Sequence, residues 1–220
     1  MGQTKHGRSA LVLVAVLMAG LLAWPSAGLA QLGGLLPPTG SSTTTTGVTG
    51  DATAVRATLF GALGLLTTTT SLADTGTLSG VNDARDASMD TGTVPSVLTG
   101  EVLSAGTISW PDEVDSAVSL ANLNMSVAGI GISADSVMAE ASQVLGAAGS
   151  GTSYIDNLSI NGTPIYVTGA PNQAVWIPGG QVVINEQSIS STGTAVVNAI
   201  HVTVTGVADV VIASATAGIA

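Results

Sequence analysis

Beyond residue 50, apolar and polar positions alternate with period two over runs of five to fifteen residues, and Gly, Asn and Pro punctuate the runs. The runs fall at 53–60, 97–110, 116–127, 130–144, 173–177, 181–190, 194–205 and 208–217, rich in Val, Ile, Ala and Thr. These β-branched residues suit a pleated, half-buried surface. Segment 136–145 has the propensity of a short helix, but its neighbours alternate, so it is read as strand. The sharpest local signal is Ile155-Asp-Asn-Leu-Ser-Ile160, Asn161-Gly162, Thr163-Pro-Ile-Tyr-Val167. Asn-Gly favours the two-residue turn with positive φ at both positions, hence a tight hairpin. About nine to eleven strands at this spacing predict an all-β, antiparallel β-sandwich (jelly-roll-like), with the last four strands as a meander.

Within 194–205 the even positions Val196, Asn198, Ile200, Val202 and Val204 form an apolar face carrying one amide; Ala199, His201, Thr203 and Thr205 form the other. A three-residue connection at 191–193 places Glu186 opposite Asn198 and Ile184 opposite Ile200. A carboxylate facing an amide on such a face fixes register when the two are bonded, and costs about 1–3 kcal/mol per group when they are not.

The chain before residue 51 is of another kind. Lys5, His6 and Arg8, then the apolar run 10–24, then Pro25-Ser-Ala-Gly-Leu-Ala30 read as a secretory signal peptide over 1–30. The run is shorter than the roughly 20 residues of a spanning helix. Residues 31–50 are Gly/Pro/Ser/Thr-rich and read as a linker, leaving 51–220 as a single domain. Leu36-Pro-Pro-Thr-Gly40 spells a sortase-type signal, but it lies near the start, without the apolar and basic tail that gives such a signal meaning.

Charge then narrows the partners. Past residue 30 the cations are Arg56 and Arg85 against fourteen Asp and Glu, a formal charge of −12. No basic groove for nucleic acid and no polybasic patch for anionic lipid can be built from that inventory. Cysteine is absent and His201 is the one histidine of the mature chain, so thiol catalysis and multi-histidine metal sites drop out, as does Schiff-base chemistry in a lysine-free chain. No G-x-S-x-G elbow accompanies His201, which reads as a satisfied surface histidine. Phe60, Trp110, Tyr154, Tyr166 and Trp176 are expected to fill the core or its edge. Calcium is the cofactor left open, at Asn82, Asp83, Asp86 and Asp90 or at Asp112, Glu113 and Asp115; neither set has a motif spacing, and solvated acidic loops are the plainer reading. Asn124, Asn157 and Asn161 head N-glycosylation triplets.

The C-terminal third resembles the choice-of-anchor P family of bacterial secreted proteins. The resemblance rests on Asn157-Leu-Ser-Ile-Asn-Gly-Thr-Pro-Ile165, Pro171-Asn172, Ile184-Asn-Glu-Gln187, Val197-Asn-Ala-Ile-His-Val202 and Asp209-Val-Val-Ile-Ala-Ser-Ala215. It implies export and an all-β domain without a mechanism, and it groups Asn185, Glu186, Gln187, Asn198 and His201 as one structural polar cluster. The expectation is a secreted, non-enzymatic structural or cell-surface-associated protein, self-assembling or bound to other surface components. A monomeric glycan or surface-component adhesin is the alternative. A hydrolase using Glu186 and a second carboxylate is a minor one.

Overall fold

The computed structural model describes residues 47–61 and 66–220; the signal peptide and most of the linker expected from the sequence lie outside them. Every regular element described is a strand: β1 Val48–Phe60, β2 Thr67–Asp74, β3 Ala84–Val94, β4 Leu98–Ser109, β5 Glu113–Val127, β6 Ile130–Val144, β7 Ser150–Asp156, β8 Ser159–Ile160, β9 Thr163–Pro164, β10 Gln173–Ile177, β11 Gly180–Ile189, β12 Ala195–Val204 and β13 Ala208–Ile219. They form two antiparallel sheets, one ordered β10-β11-β12-β13-β1-β2 and the other β3-β4-β5-β6-β8-β9, with β7 also on β6. The expected sandwich is present and its last four strands form the expected meander. Apart from β1 with β13 and β6 with β8, sequence neighbours pair within each sheet, in place of the interleaved order of a jelly roll.

Thirteen strands exceed the nine to eleven expected for two physical reasons. Asn157, with φ 52°, divides the 155–160 run between β7 and β8. Strands β2 and β3 lie at the sheet edges and need little apolar alternation: one begins Thr67-Thr-Thr-Thr-Ser71, the other carries Arg85, Asp86 and Asp90. The linker boundary also moves. Val48 to Gly50 are strand, paired with Ile219 to Ala217. Gly50 is there for packing, since a Cβ would press on Leu78, Thr107 and Val114. Asn161 and Gly162 both have positive φ, as the tight turn requires.

The layers meet with β13 over β5 and β6, β1 over β4 and β5, and β12 over β6 and β7. The core between them is aliphatic, with Val55, Leu103, Leu123, Ile132, Val137, Ile184, Ile200 and Ile212 almost wholly buried. Each such side chain contributes about 1.5–3 kcal/mol on burial. Polar groups in this layer are paired. Ser116 donates to the Thr216 carbonyl across the sheets at 2.6 Å, and Gln143 binds Ala147 and Thr192 carbonyls while accepting from the Ile219 amide.

A crease crosses the six-stranded sheet. Asn185, Ala199, Ala213, Ala54 and Ala73 are each skipped in the strand registers and lie side by side on β11, β12, β13, β1 and β2. Positive φ occurs on alternate strands, at Asn185, Ala213 and Ala73. Two consecutive residues therefore point inward, and the pleat continues with inverted phase: β12 buries Ala195, Val197 and Ala199, then Ile200, Val202 and Val204. This corrects the expected face assignment, because Asn198 and His201 share the outer face. The other sheet inverts at Asn122 and Asp135, where two residues in a row point outward. Inward in one layer and outward in the other are the same direction in space, so the pleat of both layers shifts the same way.

Candidate functional site

The inversion builds a polar network on the outer face of the six-stranded sheet. Glu186 pairs with Asn198 in the register expected from the three-residue turn, and Ile184 pairs with Ile200. Asn198 Nδ2 donates to Glu186 Oε2 at 2.6 Å. The same oxygen lies 2.9 Å from His201 Nδ1, and His201 Nε2 lies 3.2 Å from Asp209 Oδ1. Each imidazole nitrogen thus faces a carboxylate, and among the described residues no hydroxyl bonds to the ring. A nucleophile–histidine pair, which hydrolysis through a serine would need, is not assembled here. Asp209 is the member that strand alternation in 194–205 did not supply; it comes from β13, where it pairs with Thr203.

Asn185 and Gln187 face the other way. Asn185 is buried, holds φ 52°, donates through Nδ2 to the Gly169 carbonyl at 3.0 Å and accepts from Gln187 Nε2 at 2.8 Å. Gln187 Nε2 also reaches the Gly151 carbonyl of β7 at 3.1 Å, tying the two sheets together. Asn172 completes this group: its Oδ1 accepts from the Gln187 amide and its own amide donates to the Asn185 carbonyl. The five residues grouped by the sequence are therefore two networks on opposite faces of β11, a split that follows from strict alternation of Asn185, Glu186 and Gln187.

Of the two acidic sets, the first is internally engaged at Asp83. Asp83 Oδ2 accepts from the Ser79 amide at 2.7 Å, the Ser79 hydroxyl at 2.8 Å and Arg85 Nε at 3.1 Å. The Ser79 bonds, with Arg85 beside them, hold its carboxyl down at about 2. Asp86 and Asp90 lie along β3 instead of closing on Asp83. Burial raises Glu113, and the charges of Asp115 and Asp112 push it further. Among the described residues no three His, Asp or Glu converge as a metal site.

The aromatic rings stand outside the core, against expectation. Phe60, Trp110, Tyr154, Tyr166 and Trp176 are 36, 39, 59, 83 and 78% exposed. The core strands alternate small and branched aliphatic residues, which leave no room for a ring between layers. Tyr166 borders a shallow groove of ≈330 Å³ floored by Ile155, Leu158 and Ile165. Tyr154 and Trp176 lie on the outer faces of opposite sheets.

Comparison of the chain with protein-family models, curated proteins and solved structures finds no match.

Proposed function

We propose that this protein is a non-enzymatic, extracellular structural component that assembles edge to edge with its own copies. The observation that carries the reading is β2. It closes one side of the six-stranded sheet, among the described residues has a strand partner only in β1, and runs Thr67 to Ser71 without charge or proline. Other edges carry the usual deterrents to pairing: β3 has Arg85, Asp86 and Asp90, and β10 is five residues long. An unguarded edge offers a row of amides and carbonyls to a second strand. Two copies of β2 meeting antiparallel would bring threonine rows face to face, a favourable cross-strand pairing, without opposing charges.

The non-catalytic part of the reading is supported by His201, held between two carboxylates with no nucleophile, and by the open sheet face on which Glu186 lies. The basic, apolar and small-residue order of positions 1–30 and the resemblance to choice-of-anchor P proteins support the extracellular setting. Light scattering on a sizing column tests the assembly, with calcium and then with chelator. The expected mass is well above one chain, and Thr69→Lys with Ser71→Lys is expected to return it to one chain without lowering the melting temperature. A monomer at all concentrations would end the proposal.

A further inference from the structure

On the far side of the crease from Glu186, the outer face carries one row in direct register: Trp176 on β10, Gln181 on β11, Thr203 on β12 and Asp209 on β13. Residues opposite one another on paired strands project to the same face, and at the usual strand spacing this row is about 14 Å long. Trp176 is 78% exposed, while Gln181, Thr203 and Asp209 are half-buried and fixed on strands. A large ring in water on an edge strand adds nothing to a core that contains no aromatic side chain. Asp209 is oriented as well: Oδ1 is held by His201 Nε2, and His201 is held in turn by Glu186.

We propose that this row binds an uncharged saccharide chain, one sugar ring stacking its C–H face on Trp176 and the following hydroxyls reaching Gln181, Thr203 and Asp209. The negative face of an indole attracts polarised C–H groups. Sugar hydroxyls donate and accept together, which matches an amide, a hydroxyl and a carboxylate in line. An apolar peptide or lipid laid here would strip water from Gln181 and Asp209 without replacing their hydrogen bonds. The formal charge of −12 and the carboxylates of Glu186 and Asp209 beside the row turn away polyanions. The site is separate from the assembly edge, because β10 and β2 are opposite ends of the same sheet.

Native electrophoresis of the purified chain through gels containing hydroxyethyl cellulose, glucomannan, xyloglucan or soluble starch tests this, with alginate as the anionic control. Retardation by at least one neutral polymer is expected, and none by alginate. Trp176→Ala should weaken binding about tenfold or more, as loss of a central aromatic contact does. Gln181→Ala should weaken it less, and Tyr154→Ala, on the opposite sheet, should leave it unchanged. Free migration in all four neutral gels, retardation by alginate, or equal retardation of the Trp176→Ala chain would each overturn the proposal. A melting temperature lowered by Trp176→Ala would overturn it too, by assigning the ring to the fold.

Discussion

Glu186 of β11 holds two residues of β12 through one oxygen, accepting from Asn198 and meeting His201, whose ring continues to Asp209 of β13. Glu186→Gln keeps the shape and removes the charge, and its side chain is partly in water. We expect a loss of about 1 kcal/mol in urea unfolding, the scale of one net hydrogen bond. Gly151 is a stricter position, because a Cβ there would meet Val197 of the opposing sheet and the Glu140 carbonyl. Gly151→Ala should therefore cost about 1–3 kcal/mol, the range for overpacking, and disturb the carbonyl that Gln187 binds. At this scale the Glu186–Asn198 contact was readable, since turn length sets register. Asn198 was assigned to the apolar face, away from His201, because one skipped residue, Ala199, shifts the pleat, and alanine gives no sequence sign of a skip.

The crease belongs to strands rather than to single side chains. Ala213 sits at φ 52°, where an L-residue other than Gly, Asn or Asp is strained, while Ala199 beside it is not in the left-handed region. Ala213→Gly relieves this strain while losing a buried methyl and should change stability by less than about 1 kcal/mol in denaturant unfolding; Ala199→Gly loses a buried methyl and adds chain entropy with no strain to relieve, and should cost about 1–2 kcal/mol. If both variants were equally destabilised, the alternating backbone pattern would be wrong. The long strands were legible because both sheets bury one face and so demand alternation. Strands β2 and β3 were not, because an edge strand with an exposed threonine or acidic face resembles a loop in sequence. Placement of the aromatic rings was misread for a related reason: composition tells how many rings there are but not that small aliphatic residues already fill the space between layers.

For the molecule as a whole, two carboxyls make stability depend on pH in opposite senses. Asp83, held at about 2 against an ordinary 3.8, stabilises the fold above pH 3.8, and that contribution disappears as pH falls towards 2. Glu113, raised above 4.5, favours the fold below that pH and loses this contribution as pH rises through its folded value. Melting curves across pH 2–8 should show Asp83→Asn flattening the decline between pH 4 and 2. Glu113→Gln should raise the midpoint at pH 7 and leave it unchanged at pH 3.

One pairing reaches beyond stability. Strands β1 and β13 lie side by side in the middle of their sheet, from Val48 against Ile219 to Leu59 against Ala208. The earliest described strand to leave the ribosome has a neighbour among the last. Until that neighbour arrives, β1 has no completed sheet to join, and the loop that must close spans nearly the entire domain. Most strands pair with their neighbours in the chain as these appear, but the six-stranded sheet closes at β1 only once synthesis has passed residue 219, so the last and slowest step of folding is expected after the domain is fully made.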